Sequence, residues 1–175
     1  MPTADDSAAT RGVVHAFLGR LAAGDLDGLA ALFAPEVDWQ LSWPEAALAG
    51  VGWAGAVPWV RPRSTPADVR AHFETLAAHN APHGGGTTVD RVVVDGPDAV
   101  LMGTIRNVLR RPGAASPAAP DAGVPYRAHF ALHLAVEGGR VRRYRVYEDS
   151  LAVADAWRAG GAGSDGGPLE PPPLP

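Results

Sequence analysis

The 175-residue chain contains no cysteine and no lysine; all fifteen basic side chains are arginine. Without cysteine there is no disulfide, no thiol nucleophile and no thiolate metal ligand. Without lysine there is no Schiff base, which excludes pyridoxal phosphate chemistry of the usual kind. No apolar run approaches the roughly 18 residues that cross a bilayer. The acidic start Met1-Pro2-Thr3-Ala4-Asp5-Asp6 lacks the charged-then-apolar order of a signal peptide. A cytoplasmic location without a membrane partner is the expectation. Gly-x-Ser-x-Gly, Walker, dinucleotide and His-Glu-x-x-His motifs are all missing. A net charge of −4 and a pI near 5.8 argue against nucleic acid as a partner. The arginines of 106–111 and 140–145 read as a solvated strand face.

What is present suits one domain with a sizeable core. Residues 1–9 read as a flexible N-terminus. Thr10 as N-cap and Gly24 as terminator predict a helix over 11–23, with Val14, Phe17, Leu18 and Leu21 as its apolar stripe. Asp25 caps a second short helix, and a strand over 37–41 follows. Residues 42–64 are irregular and hold Trp43, Trp53 and Trp59, which suits either a lid over a pocket or a dimer contact. Thr65-Pro66-Ala67-Asp68 has the N-cap, N1 proline and acid of a strong helix start. Strands are predicted over 87–95, 99–109, 125–136 and within 139–149. A flexible loop spans 111–123, and Asp149 or Ser150 starts a last helix. The Gly/Pro-rich tail 159–175 reads as disordered.

Gly24-Asp25, Phe33 to Trp39, Val57-Pro58-Trp59 with the helix after it, and Gly139 to Asp149 occur in an informative order. Over residues 10–158 the chain resembles the nuclear transport factor 2-like superfamily, in its SnoaL-like branch of polyketide cyclase and ketosteroid isomerase-like proteins. The resemblance implies an α+β fold: a curved antiparallel sheet wrapped around helices, forming a cone with one internal pocket.

Strand alternation divides the strand over 125–136 into Tyr126, Ala128, Phe130, Leu132, Leu134 and Val136 on one face, and Arg127, His129, Ala131, His133 and Ala135 on the other. Periodicity alone sends the second face to solvent. Aligned from the Gly138-Gly139 turn, the resemblance does the opposite: Ala131 falls where isomerase-like enzymes keep a pocket acid. His129 and His133 then flank the pocket, and the apolar face packs a homodimer. A one-residue slip exchanges the two readings. On the last strand the resemblance turns Tyr144, Val146 and Glu148 inward. The key aspartate of cyclases and limonene epoxide hydrolase-like enzymes aligns with Val146 and is missing, and Glu148 lies one pleat further on. The isomerase-type base aligns with Leu41 and its helix-one tyrosine near Phe17. The hydrolase Arg and Asp pair aligns with Ile105 and Asn107, and its Tyr and Asn with Trp39 and Leu41. Neither mechanism transfers.

The candidate catalytic set is therefore His129, Tyr144 and Glu148. Trp39, Asn107, His133, Trp43, Trp59, Val146 and Phe17 are candidate substrate contacts. Histidine exchanges a proton near neutral pH, a buried carboxyl is pushed upward, and a tyrosine can donate to a developing enolate. No metal is expected, since four residues of strand hold His129 and His133 about 13 Å apart. Together these point to a cofactor-independent acid–base enzyme of cyclase, isomerase or dehydratase type. Its substrate is a hydrophobic, polyketide-like small molecule. Two alternatives stay open: a noncatalytic ligand-binding or dimerisation module, and a substrate-folding or epoxide-opening cyclase with few essential polar groups.

Overall fold

The structure, a computed structural model, describes residues 4–49, 57–110 and 123–160. Trp53, most of the 111–123 loop and the tail beyond Gly160 lie outside the described residues.

Helix α1 (Ala4–Ala23) starts well before the expected N-cap, so residues 4–9 are helical. Two side chains one turn apart account for this. Ser7 Oγ accepts from the Gly96 amide at 2.9 Å, and the buried Thr10 Oγ1 donates to the Gly96 carbonyl at 2.8 Å. Both therefore clamp the β-turn at Gly96 instead of capping a helix, which ties the N-terminus to the sheet. Gly24, at φ 67°, ends α1 as expected. Asp25 then caps α2 (Leu26–Ala31) by accepting from Gly28 N at 2.8 Å.

Strand β1 (Phe33–Leu41) leads into a single-turn helix α3 (Glu45–Leu48) that the sequence did not signal. Helix α4 (Pro66–His79) starts as its sequence dictates: Thr65 and Asp68 form a reciprocal capping box with proline in the first turn. A short strand β2 (Asn80–Pro82) precedes the meander β3 (Thr88–Asp95), β4 (Asp98–Leu109), β5 (Val124–Glu137) and β6 (Arg140–Glu148), and α5 (Ser150–Ala159) closes the chain. Sheet order is β1-β6-β5-β4-β2, with β3 also on β4. All pairings are antiparallel except β1 with β6, so the expected antiparallel sheet is mixed at one edge.

Phe17, Leu29, Phe33, Val69, Leu101, Leu134, Val141 and Val153 are buried where the helices meet the concave face of the sheet. The fold is an open α+β cone. Trp43 and Trp59 are 7% and 3% exposed, so both rings pack into the interior rather than forming a lid or a dimer contact.

Candidate functional site

A cavity of about 780 Å³ opens between the concave sheet face and the helices. Phe17, Leu41, Trp59, Phe73, Ile105, Phe130, Leu132 and Val146 make most of its wall apolar. The polar side chains on it come from few places: His72 on α4, Asn80 after it, Asn107 on β4, Tyr126 on β5, Tyr144 and Glu148 on β6, and Thr87 near the entrance.

The faces of β5 are settled by one residue. Across the Gly138-Gly139 turn, Glu137 pairs with Arg140 and Val136 with Val141, but Ala135 pairs with Arg143. Arg142 is the extra residue of a β-bulge. Beyond it every pairing is displaced by one, so Leu134 lies opposite Tyr144, Leu132 opposite Val146 and Phe130 opposite Glu148. Without the bulge His129 would stand opposite Glu148. With it, Tyr126, Phe130 and Leu132 turn into the cavity, and the histidines turn out.

His129 is exposed, its Nδ1 3.3 Å from Thr104 Oγ1. His133 Nε2 lies 2.7 Å from Asp98 Oδ1. Neither lines the cavity, so the expected catalytic role of His129 and the substrate contact of His133 are corrected. The apolar face of β5 is interior as well, which removes the surface through which a homodimer was expected.

The β6 reading fares better. Tyr144, Val146 and Glu148 all line the cavity, as do Phe17, Trp59 and Asn107. Glu148 is the one acid among the described lining residues. Its backbone amide donates to Ser42 Oγ at 3.1 Å, and the Ser42 amide donates to the Val146 carbonyl at 2.9 Å. Ser42 thus ties the end of β1 to β6, and Trp43 Nε1 lies 2.8 Å from Glu148 Oε1. Burial pushes the Glu148 carboxyl up, the Trp43 hydrogen bond pulls it back in part, and the charge of Asp149 adds to the rise. Trp43 is thus a partner of the acid and not itself a lining residue.

Trp39 is behind the wall, its indole stacked on the Tyr144 ring at 3.9 Å and 12°. That stack, with Phe17, Phe33 and Phe73 around it, holds Tyr144 rigid. The Tyr144 hydroxyl has no hydrogen-bond partner among the described residues, and burial then Glu148's charge push its ionisation well above the usual range. It stays a neutral O–H donor on the cavity wall. Tyr126 is different: its hydroxyl donates to Asn80 Oδ1 at 2.8 Å, with the Asn107 amide beside it as a donor.

His72 also lines the cavity, although nothing in the sequence singles it out. It is 3% exposed, sits edge-on to Trp39 at 4.8 Å, and is held by the Trp59 backbone carbonyl. Burial, aided by the Arg63 charge, lowers its pKa to about 3, so it is neutral. Its Nδ1 is buried with no partner. Trp59 is braced in turn by Trp157 of α5 at 5.5 Å. No group of three or more His, Asp or Glu among the described residues could hold a metal ion.

An open α+β cone with a polar-studded apolar cavity defines the nuclear transport factor 2-like class. A family model for the SnoaL-like domain matches residues 14–144, and the chain belongs to that family. The structure is similar to an NTF2-like protein from Burkholderia xenovorans LB400, with a TM-score of 0.61 and 17% identity over 86% of this chain and 96% of that one. TerC, crystallised with polyporic acid, gives a TM-score of 0.62 and 14% identity over 86% and 98%. An LEH-like epoxide hydrolase of M. tuberculosis gives 0.58 and 13% over 89% and 94%. No curated protein sequence matches the chain. No helix among the described residues is long and apolar enough to cross a membrane.

Proposed function

We propose that this protein is an acid–base enzyme that moves a proton on a hydrophobic, ring-containing small molecule, with Glu148 as the group that carries the proton. The observation that carries this reading is the one carboxyl among the cavity's described lining residues, held by Trp43 and displaced upward by burial. A carboxyl whose pKa is raised by burial is better suited to both taking up and releasing a proton. As carboxylate it removes a proton from a carbon beside a carbonyl, the C–H electrons forming the enolate and the negative charge moving to oxygen. The Tyr144 hydroxyl, neutral and without a partner among the described residues, lines the same cavity and can donate to that oxygen. As acid, Glu148 returns the proton to carbon or oxygen. This suits isomerisation, dehydration or aldol-type cyclisation; TerC, which has a similar fold, was crystallised with polyporic acid.

The test needs no knowledge of the natural substrate. Bicyclic aromatic ketones such as 1-tetralone are incubated with protein in D₂O, and deuterium entry beside the carbonyl is followed by NMR. Wild-type protein accelerates exchange and Glu148→Gln does not. Exchange that continues unchanged in Glu148→Gln defeats the reading. The absence of the family's aspartate at Val146 favours a second reading, a binding module, which tight ligand binding without any exchange would support.

A further inference from the structure

The polar group at the far wall of the cavity is a directed chain. It begins at the C-terminal turn of α4, where the Asn80 Nδ2 amide donates to the Leu76 carbonyl at 3.1 Å. That fixes Asn80 with Oδ1 turned the other way, and Oδ1 accepts the Tyr126 hydroxyl hydrogen at 2.8 Å. With its one hydrogen engaged, Tyr126 offers only lone pairs to its other neighbour. Asn107 stands directly opposite it on β4 and meets the hydroxyl as a donor. One Asn107 N–H therefore faces the hydroxyl oxygen. Its backbone is locked on the other side as well, by pairing with Pro82 of β2.

An asparagine amide has two donors and an acceptor that takes two bonds. After the Tyr126 contact, Asn107 keeps one N–H and its Oδ1, side by side in one plane, on a side chain that lines the cavity and has no other partner among the described residues. Leaving both unmatched against a bound ligand costs the desolvation of each.

We propose that Asn107 is the specificity-determining residue of the cavity, and that it reads a donor and an acceptor on neighbouring atoms of a planar, otherwise apolar ligand. A cis-lactam edge, or a carbonyl beside an enolic or phenolic O–H, has this pattern. The inference rests on the cavity being the substrate site, and it names the chemical class of that substrate.

Matched probes test it through binding followed by tryptophan fluorescence. 2-Quinolone is compared with N-methyl-2-quinolone, and 3-hydroxychromone with 3-methoxychromone; in each pair methylation removes the donor and adds one methyl group, whose bulk Asn107→Leu controls for. Wild-type protein binds the unmethylated member of at least one pair about tenfold tighter or better, and the pair that discriminates identifies the N–H or O–H source. Asn107→Leu abolishes the difference. Asn107→Asp, isosteric but acceptor-only, does the same and guards against misfolding of the leucine variant, with circular dichroism confirming the fold. Glu148→Gln, which stops proton exchange, keeps the discrimination, so failure of the catalytic reading and failure of this one are told apart. A difference that survives in Asn107→Leu, equal binding within both pairs, or no binding of any probe overturns the proposal.

Discussion

The two faces of the β5–β6 hairpin carry similar side chains and treat them in opposite ways. On the inner face, Glu148 has one neutral donor, Trp43, and its carboxyl is pushed up by burial. On the outer face, Asp38 of β1 accepts from Arg143 at 2.9 Å and Arg145 at 2.7 Å, and the Arg143 bond, with smaller help from Arg145, holds its carboxyl below the ordinary range. Histidines divide the same way: His72 is buried and neutral, while His129 and His133 lie at the outer surface. The sheet thus keeps a carboxyl raised by burial on its inner side and a carboxyl held low by two arginines on its outer side. The largest effect should break along this line. Glu148→Gln should lower deuterium exchange by about 10²-fold or more, whereas His129→Ala and His133→Ala should stay within about twofold of wild type, since neither touches the cavity. Loss of exchange in either histidine variant would reverse the faces.

A second test uses stability against pH, where the two inner titratable groups have opposite signs. His72 has a folded pKa of about 3 against an ordinary 6.5. The unfolded chain therefore binds its proton first, and the stability it contributes above 6.5 is lost as pH falls toward the folded value, at about 1.4 kcal/mol per pH unit. Glu148 is raised. The stability from its protonated form is full below about 4.3 and is lost as pH rises through the folded value. Between those limits the two slopes oppose each other. Urea unfolding at several pH values in that window should show Glu148→Gln losing stability on acidification more steeply than wild type. His72→Gln should lose stability as pH rises. Parallel slopes in all three proteins would mean that neither group is as buried as its surroundings indicate.

Much of this was legible in the residues. The Thr65–Asp68 capping box, the Asp25 and Asp149 caps and the strand runs follow from local chemistry and order, whereas the inward set Tyr144, Val146 and Glu148 comes from the family resemblance. The error lay in a parity. Counting back from Gly138-Gly139 as a regular hairpin places His129 opposite Glu148, and the bulge at Arg142 displaces it. The signal was present in β6 itself, where Val141 and Tyr144 are both buried although an odd step separates them, which a regular strand cannot arrange. The unbroken apolar alternation of Tyr126, Phe130, Leu132 and Leu134 also favoured the face that the structure turns inward. Asn80 and His72 carried no such signal. Their roles depend on where α4 ends and which wall it meets, and these are tertiary facts.

Trp43 offers a smaller and sharper contrast. Its Nε1–H opposes the rise that burial imposes on Glu148. Trp43→Phe removes that donor and keeps an aromatic ring, so the ascending limb of the pH–rate profile should move to higher pH. Trp39→Phe is the control, because Trp39 stacks on Tyr144 and does not line the cavity. It should leave that limb in place. A shift caused by Trp39→Phe and not by Trp43→Phe would detach Glu148 from the profile.

The smallest effect belongs to the outer face. Asp38 bridges two arginines, an arrangement that looks structural on inspection, yet its side chain is 45% exposed and those of Arg143 and Arg145 are 40% and 32% exposed. Solvent and salt screen such pairs, and the flexible side chains lose entropy when held in them. Because the Asp38 carboxyl is held low, its contribution is present at neutral pH and is lost as pH falls through that low folded value. Asp38→Asn should therefore cost no more than about 0.5 kcal/mol near neutrality, with the cost vanishing in strong acid and shrinking in high salt. Urea midpoints at low and high salt measure it. A salt-insensitive loss several times larger would show the three side chains acting as a desolvated lock on the β1–β6 edge, and the outer face would then share the constraint that the inner face imposes on Glu148.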